Sequence, residues 1–222
     1  MLSMEKVSVS YGALKALRSA DLVAKAGQIT AIIGLNGAGK TTLLNAAMGA
    51  VPLESGRVVF DGKDITRMST AERVKSGLAL CPEGRQVFPR MTVAENLRMG
   101  GYMLPRRDVK ARMEEMLTAF PKLRPCLNQQ AGTLSGGQQQ WLAIARALMC
   151  RPRMLMMDEP TLGLAPEAAH ELLEMLPRIA QSGITLLVVE QDVEGILAVA
   201  DAAYTMVSGE CQARARARAV SC

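Results

Sequence analysis

The run Gly34-Leu35-Asn36-Gly37-Ala38-Gly39-Lys40-Thr41, followed by Thr42, constrains the fold more than any other stretch of the chain. It matches the pattern G-x-x-x-x-G-K-[ST], a glycine-rich turn between a strand and a helix that holds phosphate. Glycines let backbone N–H groups curl around phosphate oxygens without a Cβ in the way. The helix that follows presents its partly positive N-terminus to the same anion. In this reading Gly34, Asn36, Gly37, Ala38, Gly39 and Thr42 line the phosphates. Lys40 neutralises their charge, and the Thr41 hydroxyl ligates Mg²⁺. The flanks agree. Ile29-Thr30-Ala31-Ile32-Ile33 is a short apolar run of the kind buried on both faces of a parallel sheet, and a helical pattern continues through Leu43, Leu44, Ala47 and Met48.

The rest of the chain alternates strand and helix. Val7, Val9 and Tyr11 alternate with serines, residues 20–24 form a second short strand, and residues 57–60 a third. Together they make an N-terminal antiparallel β-subdomain. Residues 70–76 read as a helix and 78–81 as a strand. Residues 92–130 are mostly helical and broken at Pro105, Pro121 and Pro125. From Ser135 a helix runs to about Cys150, then come a strand at 154–157, a helix from Pro166, a strand at 184–189, a helix at 193–199 and a strand at 203–207. The fold class is therefore α/β, a phosphate-loop nucleotide-binding domain with a mostly parallel central sheet. One domain spans 1–210, with a helical subdomain at about 88–152.

The strand at 154–157 ends in Asp158-Glu159-Pro160. Side chains at the carboxyl end of a strand in an open α/β sheet point into the ligand crevice. Asp158 there would hold Mg²⁺, and Glu159 would orient or deprotonate an attacking water.

Composition narrows the classes. Of 222 residues 49% are hydrophobic but only 3% aromatic, so the core is aliphatic, with 15 Met. The net charge of +5 is not clustered, apart from Arg214, Arg216 and Arg218, so nucleic acid is not the expected partner. The cysteines Cys81, Cys126, Cys150, Cys211 and Cys222 form no CxxC pattern, which argues against a structural metal site, and their odd, scattered count fits reduced thiols. No apolar stretch approaches the ~20 residues of a membrane helix, so any link to a membrane runs through a partner. His170 reads as a surface residue and Trp141 as helix packing.

Leu134-Ser135-Gly136-Gly137-Gln138 precedes a helix, with Ser135 placed to cap it and two glycines exposing backbone N–H groups. It is a second anion site, more than one nucleotide in one subunit needs. With this motif, the phosphate loop and the acidic pair in order, the chain resembles the ATP-binding-cassette ATPases over residues 4–209. The resemblance implies that Ser135, Gly136, Gly137 and Gln138 cover the nucleotide of a second subunit, in a dimer sandwiching two ATP molecules. It places Tyr11 as the aromatic that stacks on adenine and residues 161–166 as a loop crossing the dimer interface. It places residues 82–89 as the segment that senses Mg²⁺ and contacts a membrane partner.

A narrower resemblance rests on residues 82–97 (Pro-Glu-Gly-Arg-Gln-Val-Phe-Pro-Arg-Met-Thr-Val-Ala-Glu-Asn-Leu), on Leu162-Gly163-Leu164-Ala165-Pro166 and on Val189-Glu190-Gln191. These are similar to the LivF-type ATPases of branched-chain amino acid importers. The implied assembly is a second cassette ATPase, transmembrane permeases and, indirectly, a periplasmic binding protein, with this chain peripheral on the cytoplasmic face of the membrane. The ATPase of a urea or amide importer is the nearest alternative. A soluble cassette protein is disfavoured by the single phosphate loop and the absence of a heptad run.

Three positions depart from the wider family. Glu83 stands where a Gln meets Mg²⁺, Gln191 where a His meets the γ-phosphate, and Ala165 where the interface loop has Asp. The narrower group has the same three, so the site is read as intact, but Gln191 carries no charge. In a heterodimer, the site lined by Gln191 is expected to hydrolyse more slowly than its counterpart. Residues 211–222, rich in Ala and Arg, lack apolar periodicity and read as a disordered tail.

Overall fold

The computed structural model describes residues 1–214. Its central sheet is built from β3 (Ile29–Ile33), β6 (Leu78–Cys81), β7 (Met154–Asp158), β8 (Thr185–Glu190), β9 (Ala202–Val207) and β10 (Glu210–Ala213). The strand order is β10-β9-β3-β8-β7-β6, parallel throughout except for β10. Period-two alternation lets each inner strand feed two cores. Ile29, Ala31, Ile33, Leu155, Met157, Leu186 and Val188 face the helical side. Ile32, Met154, Met156, Leu187 and Val189 face the other core. All five residues of β3 and of β7 are buried, as continuous apolar runs in a parallel sheet require.

That second core is closed by an antiparallel sheet of order β2-β1-β4-β5, from β1 (Leu2–Tyr11), β2 (Leu14–Ala24), β4 (Ser55–Phe60) and β5 (Lys63–Asp64). Between the sheets lies α1 (Lys40–Met48), whose Leu43, Leu44, Ala46 and Ala47 are fully buried. The buried Arg73, on α2 (Thr70–Lys75), clamps its far end by donating to the carbonyls of Ala46 and Ala47, both at 2.8 Å. A cation on the last carbonyls of a helix is favourable.

The helical subdomain comprises α3 (Val93–Gly100), α4 (Arg106–Ala119), 3-10 turns at Pro121–Cys126 and Ala131–Thr133, and α5 (Gly136–Leu148). Trp141 packs edge-on against Phe120, with ring centroids 5.9 Å apart. Helices α6 (Pro166–Gln181) and α7 (Val193–Val199) complete the layer on the helical side.

Two expectations need correcting. The second strand begins at Leu14 rather than residue 20, because bulges between β1 and β2 and a left-handed Ser19 (φ 56°) break the period-two signal. The disorder expected from residue 211 does not hold for the first residues of that stretch: Glu210–Ala213 pair with β9, antiparallel, from Glu210 opposite Val207 to Ala213 opposite Tyr204. Residues 215–222, the remainder of that tail, lie outside the described residues.

Candidate nucleotide site

Three adjacent parallel strands deliver the site from their carboxyl ends. β3 leads into the phosphate loop, its neighbour β8 ends at Glu190 before Gln191, and β7, next again, ends at Asp158 before Glu159. The strand order alone thus gathers segments more than 100 positions apart at one crevice.

The loop is held by close backbone approach. A Cβ on Gly34 would overlap the Met206 carbonyl oxygen, and one on Gly39 (φ 107°) would come within 2.6 Å of the Ala16 carbonyl oxygen. Gly209 donates its N–H to the Ala38 carbonyl at 2.8 Å. The cleft beside the loop is ≈ 540 Å³, and its walls include Gly34, Asn36, Gly37, Gln191 and Met206.

Lys40 is buried, with two hydrogen bonds and one ion pair at its ammonium. Its Nζ donates to the carbonyls of Gly34 (2.8 Å) and Leu35 (3.1 Å) and lies 3.1 Å from Glu159 Oε1. The other Glu159 oxygen, Oε2, accepts from Gln191 Nε2 at 2.5 Å, and the same amide donates to Asn36 Oδ1 at 2.6 Å. Glu159 itself sits at φ 46°, an unusual value for a residue with a side chain, fixed in part by its N–H on the Val189 carbonyl. Lys40, Glu159, Gln191 and Asn36 therefore form one connected cluster.

Asp158 is buried beside them. Burial pushes its carboxyl above the ordinary carboxylate range, and the charges of Glu159 and Glu83 push the same way; the Thr41 hydroxyl and Lys40 oppose them. Its Oδ1 has no hydrogen-bond partner among the described residues. A buried, unpaired carboxylate oxygen next to a hydroxyl fits a divalent cation. Among the described residues no three His, Cys, Asp or Glu gather for a metal. Magnesium here would thus draw its other ligands from phosphate and water, as it commonly does. Glu83 is exposed at the crevice rim and acts on Asp158 through charge alone.

The second motif is separate from this cluster. Ser135 caps α5 in a reciprocal box: its Oγ accepts from the Gln138 N–H (3.3 Å), and its own N–H donates to Gln138 Oε1 (3.0 Å). Gln138 is thereby engaged within its own chain. Tyr11 ends β1 with 48% of its surface exposed, and no described hydrogen bond or ring contact ties it to the phosphate loop.

Two residues lacked a role in the sequence reading. Glu190 is buried, its carboxyl pushed up by that burial, and it accepts the Thr161 N–H at 2.9 Å, anchoring the loop after Glu159. Its position at the end of an apolar strand is the same signal that picked out Asp158. Arg85 donates from Nη2 to the Gly163 carbonyl at 3.1 Å, and nothing local in the sequence marks it.

Known proteins resemble this chain over most of its length. The profile of the ABC transporter family matches residues 17–162. The high-affinity branched-chain amino acid transport ATP-binding protein BraG of Pseudomonas aeruginosa is 42% identical over 209 residues, covering 94% of this chain and 90% of the relative. A probable branched-chain amino acid transport ATP-binding protein, LivF, of Archaeoglobus fulgidus is 40% identical, covering 94% and 89%. Among solved structures, a nucleotide-free ATP-binding cassette from an ABC transporter superposes with a TM-score of 0.89 at 33% identity, covering 97% of this chain and 91% of the other.

Proposed function

Because the chain belongs to the ABC transporter family, we propose that this ATP-hydrolysing subunit powers an importer of branched-chain amino acids across the cytoplasmic membrane. The observation that carries the chemistry is the cluster of Lys40, Glu159, Gln191 and Asn36 at the mouth of the phosphate loop, with the unpaired Asp158 oxygen beside it. The cargo assignment rests on the two relatives named above, both described as branched-chain amino acid transport proteins.

The roles follow from position. Backbone groups of Gly34, Gly37, Ala38 and Gly39 and the side chains of Asn36, Lys40, Thr41 and Thr42 bind the phosphates. Tyr11 offers an open ring face to adenine. Glu159 is the general base and Gln191 its positioning amide. Thr41 and Asp158 would hold Mg²⁺, with Glu83 adding negative charge from the rim, and the metal would supply charge neutralisation on the phosphates. Ser135, Gly136, Gly137 and Gln138 act on the nucleotide of a second cassette subunit.

Attachment in this reading is peripheral, through permease subunits on the cytoplasmic face; no helix among the described residues is long and apolar enough to cross a membrane. A groove suited to such a partner lies between the sheet and the helical subdomain. Its wall carries Phe88, Met99, Tyr102 and Met103, all exposed apolar side chains. Arg146 stacks over Phe88 at 5.0 Å to the ring centroid, stiffening that wall. A periplasmic binding protein would deliver cargo on the far side.

The test is transport by the assembled complex in vesicles. ATP-dependent uptake of leucine, isoleucine or valine, lost in Lys40→Ala, is the expected result. Uptake of urea or short amides in their place would overturn the cargo assignment.

A further inference from the structure

We infer that Arg85 is a phosphate-contacting cation of the shared site, offered by this chain to the nucleotide held on the second subunit's phosphate loop. The inference rests on the two-subunit reading above and adds a charged group to it. Residues 84–86 carry three successive positive φ values, Gly84 at 73°, Arg85 at 65° and Gln86 at 44°. Two of these bear side chains, so the backbone is held in a costly conformation that aims the arginine across the surface. Its guanidinium lies against the start of α5: a Cβ on Gly136 would come within 3.0 Å of Nη1 and 3.1 Å of Nη2. Nη2 also donates to the Gly163 carbonyl in the interface loop.

A cation is poorly placed there in the isolated chain. The first N–H groups of α5 lack intrahelical acceptors and carry the positive end of the helix dipole, which repels a guanidinium. Among the described residues no carboxylate pairs with Arg85. An anion between the guanidinium and the Gly136 and Gly137 N–H groups satisfies both at once. In the shared site that anion is the terminal phosphate of the partner's ATP. The same site on this chain's own loop faces it with Gln191, which brings no charge. A cation arriving from the second subunit supplies what the neutral amide does not.

The test uses the assembled complex with Arg85→Gln, which keeps a donor for the Gly163 carbonyl and loses the charge, and Arg85→Lys, which keeps the charge. The expected result is a kcat about tenfold or more lower in Arg85→Gln, with matching loss of vanadate-trapped ADP, and substantial recovery in Arg85→Lys. Wild-type kcat in Arg85→Gln overturns the inference. Equal impairment of both variants also overturns it, since a strut for the Gly163 loop would then suffice. Gly136→Asp is the control for the shared site. If it turns over normally, the two-subunit reading itself falls; if it is inactive while Arg85→Gln is normal, only Arg85 loses its role. Unchanged melting temperatures exclude misfolding as the cause of a loss.

Discussion

Lys40 Nζ lies 3.1 Å from Glu159 Oε1, with both side chains more than nine-tenths buried. The cation suited to phosphate is thus held by the carboxylate suited to activate water. In the proposed function, phosphate entering the loop would compete with Glu159 for the ammonium and free Glu159 to act as the base. Replacing Glu159 by Gln removes a negative charge from beside the phosphates while keeping the side-chain shape. ATP binding is expected to persist or tighten, and hydrolysis to fall by about 10²–10⁴-fold. Equilibrium binding and phosphate release on the same sample check this; hydrolysis at the wild-type rate would remove Glu159 from the role of base.

Asp158 makes the apo protein's stability depend on pH. Burial raises its folded-state pKa above the unfolded value, so between the two the folded state binds more protons. The contribution is most favourable below the unfolded pKa and is lost as pH rises through the folded one. At neutral pH the ionised carboxylate opposes folding, and a divalent cation bound as proposed would relieve that opposition. Asp158→Asn is therefore expected to melt higher than wild type at pH 7 without nucleotide, the gap closing as pH falls into the carboxylate range. The same variant should lose the extra stabilisation that magnesium with ATP gives wild type. Melting curves across pH, with and without magnesium and ATP, carry the test, and an unchanged apo melting point at pH 7 would contradict the burial argument.

Much of the fold and site was legible because each key motif ends an apolar strand or opens a helix. Residues 29–33 and 154–157 announce buried strands, and their carboxyl ends carry the phosphate loop and the acidic pair. What was not legible depends on segments meeting in space. Arg85 acquires meaning from Gly136 and Gly163, 51 and 78 positions further along. β10 forms by main-chain pairing to an open edge of β9, and its own residues, mostly exposed, carry no apolar signal. β2 was foreshortened because its bulged register hides the inward set Leu17, Ala20, Leu22 and Ala24. The groups that gather around Glu159 were nameable one by one; the single amide of Gln191 joining Asn36 to Glu159 was not.

Gly34 is fixed by sterics rather than by phosphate chemistry alone. A Cβ there would overlap the Met206 carbonyl oxygen of β9, a backbone atom that cannot swing aside as a side chain can. Gly34→Ala is expected to cost about 1–3 kcal/mol of stability, the usual range for forced overpacking, and to weaken ATP binding by displacing the loop from β9. Denaturant titration and nucleotide affinity measured together check it; a variant as stable as wild type would mean that β9 yields more easily than the packing indicates.

Gln191 donates to Asn36 Oδ1 and Glu159 Oε2 from one nitrogen, using both amide hydrogens. A neutral histidine has a single N–H and cannot make this fork; a protonated one has two donors on separate nitrogens and adds a charge. Gln191→His should therefore raise turnover in the assembled complex, and the gain should depend on pH. Near the ordinary histidine pKa of about 6.5 the imidazolium supplies the positive charge that Gln191 lacks. Above it, the variant keeps one donor and turnover drops toward or below wild type. Protonation beside Glu159 is favoured by that carboxylate, so the gain should extend somewhat above 6.5. A pH profile of kcat for wild type and Gln191→His measures this directly. Turnover unchanged or lower at every pH would mean that the missing imidazole does not slow this site.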